Sequence, residues 1–172
     1  SVHAAGTSFV WLREKLGLLG KNADIDKICR SSKQRILALQ AIGCLGAPRW
    51  DYVTKTSFFG MTSQTRSPDL VRAVAEGIAF LISDIVLAMR AGGLSPGSVR
   101  ASGGLSRINY LMQFQSDLLG VEVERCREAE ATALGAGCLA AEAAGAPWAS
   151  RLCRAKPDRV YRPVMPREES AN

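Results

Sequence analysis

The sequence predicts an α/β fold in which parallel strands alternate with helices, and two stretches carry that reading. From Val99 to Gly145 the chain runs strand, Gly103-Gly104, helix, strand, helix, the last helix built almost wholly from small residues. Upstream, Ser67-Pro68-Asp69 opens a long segment of helical apolar spacing that Gly92-Gly93 closes. Alternation of this kind covers a sheet with helices and joins neighbouring strands in the same direction.

Taken in order, Phe9, Val10, Leu12, Leu16 and Leu19 recur at helical spacing, so Gly6–Leu19 is expected as a helix. Gly20-Lys21-Asn22 ends it, and Ala23–Arg30 reads as a second, short helix. Ile36–Ile42 reads as a strand, although its Leu and Ala content also suits a helix. Two glycines and Pro48 make Gly43–Asp51 a loop, and the β-branched and aromatic run Thr54–Met61 a strand. Ser67 is expected as an N-cap, with Pro68 at the first helical position and Asp69 against the positive end of the dipole. This helix should reach Ala91 and be long and largely buried. Ser98–Ala101 and Val121–Glu124 are strands flanking a helix over Ser106–Leu119, which Gly120 terminates. Ala131–Ala144 has enough Ala and Gly to lie close on a sheet or helix, and Arg159–Arg162 reads as a strand. Few strands are available to cover these helices, which suggests that the first strands of the sheet precede Ser1.

The bulk numbers narrow the function classes. With 172 residues, 47% hydrophobic and 22% charged, the chain suits one globular domain. The apolar run Ile78–Met89, broken by Ser83 and Asp84, is shorter than the roughly 20 residues a spanning helix needs, so no membrane role is expected. The five cysteines include no C-x-x-C pair, and His3 is the only histidine, so neither a zinc site nor a Cys/His catalytic pair is expected. An odd cysteine count without a secretory signal favours reduced thiols in a cytoplasmic protein. The net charge of +6 gathers late, through Arg151, Arg154, Lys156, Arg159, Arg162 and Arg167. Aromatic interleaving is limited to Tyr161, so a solvated basic tail over 149–172 is expected in place of a nucleic-acid arm.

A strand that stops at Gly103-Gly104 and turns into a helix is expected to leave backbone N–H groups facing open space, the ordinary receptor for a phosphate or nucleotide. The surrounding motifs sharpen this. AGTSFVWLR (Ala5–Arg13), GCLGAPRWD (Gly43–Asp51), FFGMTSQTRSPDLVRAVAEGIAF (Phe58–Phe80), SGGLSRINYLMQFQSDLLG (Ser102–Gly120) and EATALGAGCLA (Glu130–Ala140) follow one another in register. Together they resemble the C-terminal domain of the FGGY carbohydrate kinases, with glycerol-kinase-like members most similar. The resemblance implies a partial ribonuclease-H-like (actin-like ATPase) domain over 1–148, N-terminally incomplete.

It also implies the chemistry. FGGY kinases transfer the γ-phosphate of ATP, with Mg²⁺, to a sugar or polyol hydroxyl. Gly104 would then lie at the adenine–ribose end of ATP beside Gly103, and Gly6 near its phosphates, where a missing Cβ lets backbone approach the ligand. The family's nucleotide-contacting Asn falls at Ile108 here; Asn109, one step later, is a candidate to replace it at the nucleotide, although a helix step of about 100° turns its side chain to another face. Val10 stands where the family carries Gln, and Asp51-Tyr52 where it carries Asp-Pro. No catalytic residue is expected within this chain. Asp51, Asp69, Glu76, Asp84, Asp117 and Glu130 are set aside as the base, which the family supplies from sequence upstream. The leading expectation is the ATP-binding part of a kinase, inactive without its N-terminal portion. A stand-alone nucleotide-binding module and a decayed fragment are the alternatives. An isolated chain with an uncovered sheet edge is expected to be poorly soluble or to form a homo-oligomer.

Overall fold

A computed structural model describes residues 5–128, 130–146 and 156–165. Helices α1 (Ala5–Glu14) and α2 (Ile25–Ser31) lead into strands β1 (Leu37–Leu39) and β2 (Ser57–Phe59). Helix α3 (Ser67–Ala91) follows, then β3 (Ser98–Ala101), a 3₁₀ turn (Gly104–Arg107), α4 (Asn109–Leu119), β4 (Glu122–Arg125), α5 (Ala131–Ala143) and β5 (Arg159–Tyr161). Two sheets form among the described residues. β1 and β2 pair antiparallel, with Leu37 opposite Phe59. β3 and β4 pair parallel, with Val99 opposite Val123, and β5 adds antiparallel with Tyr161 opposite Val123.

The mixed α/β architecture and the parallel β3–α4–β4 unit agree with the expected fold class, and α3 ends at Ala91 as expected. Several local expectations are corrected. α1 stops at Glu14, short of Leu19, and the chain turns at Gly17 with φ +64°. The Ile36–Ile42 and Thr54–Met61 strands shrink to three residues each, because only Leu37–Leu39 and Ser57–Phe59 find pairing partners. β4 begins one residue later than expected. Part of 149–172 is no tail: β5 completes the sheet and Tyr161 is 3% exposed. The small-residue helix α5 does not lie close on a neighbour, since Cys138 is its one buried residue among those described.

The core forms where α1, α2, α3 and α4 meet the second sheet. Leu12, Val71, Val74, Ile78, Leu111 and Val123 are almost wholly buried in one cluster. Each such side chain contributes on the order of 1.5–3 kcal/mol by leaving water. Burial in α3 is concentrated between Asp69 and Ala79, whereas Leu87 and Met89 near its end face solvent, so the expectation of a largely buried helix holds for its first half. Leu37 and Phe59, cross-strand partners, are also about half exposed.

Two close fits set how α3 sits. Its Gly77 lies against β1, where an added Cβ would fall 2.5 Å from the Ala38 carbonyl oxygen. At its start the N-cap is Arg66, not Ser67, and Asp69 does the capping. The Asp69 carboxylate accepts the backbone N–H groups of Lys33, Gln34 and Arg66 and the Ser32 hydroxyl, all at 2.8–3.1 Å. Burial opposes its ionisation, but those donors outweigh burial and hold its carboxyl well below the usual carboxylate range.

Between α3 and α4, Glu76 (3% exposed) accepts from Arg72 Nε at 2.7 Å and from the Tyr110 hydroxyl at 2.5 Å. Burial, then the Glu76 contact, pushes the Tyr110 hydroxyl far up, so it remains a donor. Burial and the charges of Glu76 and Asp26 push the neighbouring Cys29 thiol up to about 12, leaving a packed, protonated thiol at neutral pH.

Gly77→Ala is expected to cost about 1–3 kcal/mol, because the clash is with backbone that cannot swing aside; urea unfolding measures it. Asp69→Asn should cost about 1–3 kcal/mol by turning an N–H₂ toward the Arg66 N–H. A carboxyl whose pKa is depressed by folding stabilises fully above its unfolded value of about 4 and loses that contribution as pH falls toward the folded value. Melting curves at neutral pH and at about pH 3 should therefore show a smaller acid loss in Asp69→Asn than in the parent.

Candidate functional site

The strand–glycine–helix segment is built more tightly than its sequence suggests. β3 ends at Ala101, and Gly103 takes φ +85° and ψ 178°, a conformation that a side chain would strain. The chain then enters the 3₁₀ turn instead of α4. Ser106, 2% exposed, stitches the turn by donating its hydroxyl to the Gly103 carbonyl at 2.7 Å. The Ser106 and Ile108 amides donate to the carbonyls of Gly103 and Leu105. The expected helix over Ser106–Leu119 is therefore a turn of 3₁₀ followed by α4 from Asn109.

The N-terminus of α4 is already taken. Asp26, on α2 and 83 residues distant in sequence, accepts the backbone N–H of Asn109 at 3.1 Å. It also accepts the backbone N–H of Tyr110 at 2.5 Å and the Asn109 side-chain amide at 3.0 Å. The expectation that these amides face open space is thus corrected for Asn109 and Tyr110: a carboxylate occupies the positive end of the helix. The Asn109 side-chain oxygen in turn accepts from the Tyr161 hydroxyl at 2.7 Å and from Arg159 at 2.9 Å. Asn109 is therefore engaged on both sides of its amide by α2 and β5, and ties those elements to the start of α4.

Gly104 and Gly6 differ from Gly77 and Gly103, and share their open surroundings with Gly20, Gly97, Gly135 and Gly137. Neither has a positive φ, and an added Cβ at either would meet nothing within 4 Å. Neither backbone strain nor crowding by the chain itself explains the missing side chain. Gly6 lies in the first turn of α1, whose Phe9 and Leu12 pack in the same cluster as Ile108, just beyond the 3₁₀ turn.

Of the carboxylates set aside as bases, Asp51, Asp84 and Asp117, like Asp69 and Glu76, have protein partners of their own. Asp51 accepts the Thr54 hydroxyl and the amides of Val53 and Thr54, contacts that lower its pKa, the hydroxyl foremost. Asp84 pairs with Arg49 at 3.0 Å, and Asp117 accepts from the Gln113 side chain and the Val164 amide. Among the described residues no group of three or more His, Cys, Asp or Glu is arranged to hold a metal ion. Two open clefts occur elsewhere. One, of about 720 Å³, lies between β1, the loop over 45–54 and α3. Another, of about 750 Å³, lies beside the start of α3. None of Gly6, Gly103, Gly104 or Asn109 lines either cleft. No helix among the described residues is long and apolar enough to cross a membrane.

The sequence reading missed Asp26, Ser106 and the Arg107–Asp158 pair. Ser106, three residues past Gly103 and able to bond its carbonyl, was legible as turn chemistry. The other contacts join residues far apart in sequence, and no local pattern announces them.

Comparison with known proteins supplies the family. The model of the FGGY family of carbohydrate kinases, C-terminal domain, matches residues 1–144. The glycerol kinase of Burkholderia multivorans is 39% identical over 176 residues, covering 98% of this chain and 35% of the relative. That of Lactococcus lactis is 36% identical over 148 residues, covering 84% and 30%. Among solved structures, Plasmodium falciparum glycerol kinase with ADP aligns over 99% of this chain and 35% of its own length, with TM-score 0.84 and 28% identity. A ligand-bound xylulose kinase from Lactobacillus acidophilus aligns with TM-score 0.76 and 27% identity, over 96% of this chain and 34% of its own. The chain thus spans about a third of the length of the relatives it matches. Fold, motif order and these matches agree: the chain belongs to the FGGY family of carbohydrate kinases, as a glycerol-kinase-like C-terminal domain.

Proposed function

We propose that this chain is the nucleotide-binding part of an ATP-dependent carbohydrate or polyol kinase, acting when the rest of the kinase polypeptide closes on it. The observation that carries this reading is the match to the FGGY carbohydrate-kinase C-terminal domain over residues 1–144, with the exposed Gly104 opening the turn after β3. An added Cβ there would meet nothing within 4 Å, so the fold leaves room for a ligand against this backbone. Gly6 has the same character, and supports a phosphate approaching the start of α1. Gly103 serves by its backbone conformation, and Asn109 by holding α4 against α2 and β5. With Asp26 capping α4, the loop suits the base and ribose of ATP better than its phosphates.

Phosphoryl transfer needs a group that orients the attacking hydroxyl, together with contacts to the phosphates and Mg²⁺. We assign the hydroxyl-orienting base, and the sugar or polyol pocket, to the remainder of the polypeptide. Asp51, Asp69, Glu76, Asp84 and Asp117 are committed to caps, turns and ion pairs. Mg²⁺ would arrive on the triphosphate, with ligands outside the described residues. The proposed phosphate acceptor is a small polyhydroxylated molecule, glycerol foremost, and the setting cytoplasmic.

Gly104→Val tests the nucleotide site cleanly, because the fold leaves room for the new side chain and only a ligand would meet it. Calorimetric ATP binding at fixed Mg²⁺ should be abolished with the circular dichroism spectrum unchanged. Equal ATP affinity of variant and parent would overturn the reading. The chain alone should not phosphorylate glycerol in a coupled ADP-release assay, and co-expression with the remaining two-thirds of a kinase polypeptide should restore turnover. Turnover by the isolated chain would place the base among its own carboxylates.

A further inference from the structure

We infer that Arg107 is the platform on which the nucleobase stacks, a step that rests on the nucleotide-binding reading of the Gly103–Arg107 loop. Three observations lead there. In a 3₁₀ turn, residues three apart share a face. Gly104 and Arg107 open and close the same turn and are both exposed, while Ser106 between them is buried. A ligand resting on the bare backbone of Gly104 therefore has the Arg107 side chain beside it.

The guanidinium is held in place from the far side. Its NH1 donates to Asp158 Oδ2 at 3.2 Å and its NH2 to the Arg127 carbonyl at 3.1 Å. Asp158 is itself fixed through its other oxygen by Arg125 Nε at 2.7 Å. Its carboxyl lies below the usual range chiefly because of that Arg125 bond, so it is ionised at neutral pH. Nonetheless the Arg107 side chain remains 47% exposed.

These contacts decide what chemistry Arg107 can offer. A guanidinium has five N–H donors, and here one on each terminal nitrogen is engaged, one of the two acceptors being anionic, which fixes the plane of the group. An exposed, flat, delocalised cation oriented in advance in this way can stack its face on an aromatic ring. The recognised feature is the π-face of a nucleobase. Such a contact favours any purine over a bare phosphate chain and does not distinguish adenine from guanine by hydrogen bonding.

The test compares parent, Gly104→Val, Arg107→Ala and Arg107→Lys in the whole kinase polypeptide, with ADP, adenosine and inorganic tripolyphosphate as probes. Lysine keeps the charge and can still reach Asp158, but has no plane. Both Arg107 variants are expected to bind ADP and adenosine about tenfold more weakly, with tripolyphosphate affinity and melting temperature unchanged. If lysine restores ADP binding, or adenosine affinity does not change, Arg107 makes a charge contact and the stacking role is wrong. Equal weakening of all three probes together with a lower melting temperature means that Arg107 only braces the loop, which also overturns it. Unaltered affinities in the Arg107 variants while Gly104→Val abolishes binding refute this inference alone. Unaltered affinities in Gly104→Val as well refute the nucleotide site beneath it.

Discussion

The structure turns on one carboxylate. Asp26 sits at the start of α4 and accepts from two consecutive backbone amides and the Asn109 side chain. A helix leaves its first N–H groups without internal partners, and a buried end without a cap is costly. By filling that need from α2, Asp26 determines that α4 begins at Asn109 and not at Ser106. The residues between strand and helix are left to form the 3₁₀ turn. Without this bond there would be no reason for Gly104 and Arg107 to share an outward face.

From that contact a polar chain extends through the molecule. Asn109 passes the connection to Tyr161 and Arg159 on β5, which pairs with β4. On the other side of the same helix, Tyr110 donates to Glu76, which also receives Arg72 on α3. Every member of this network that is buried has a partner, as it must in surroundings of low dielectric. The arrangement sets helix, sheet and loop in one register, while the apolar cluster beneath supplies most of the cohesion.

An open loop would suit one half of the proposed nucleotide site. Gly104 leaves space beside the exposed Arg107, and two clefts of the chain lie elsewhere. In the proposed kinase the remainder of the polypeptide would exclude water and bring the accepting hydroxyl in line. The relatives, about three times as long as this chain, have sequence for such a remainder.

Local chemistry was legible from the sequence wherever a few adjacent residues decide the outcome. Pro68 and Gly92 bracket α3 because proline suits a first helical turn and glycine a terminus. Gly120 ends α4 in a left-handed conformation that glycine adopts freely. The strand–Gly-Gly–helix order was enough to predict the parallel β3–β4 pair, since one helix between two strands returns the chain in the same direction. Tertiary structure decided what depends on partners distant in sequence. It shortened β1 and β2 to the residues that find each other, left α5 exposed despite its small residues, and decided that the strand read at Arg159–Arg162 pairs with β4. It also committed Asn109 to the scaffold, because Asp26 and Tyr161 reach it from 83 and 52 residues away. Spacing along a chain records which residues share a face of one element, whereas which elements meet is settled by packing and by the need to satisfy every buried polar group.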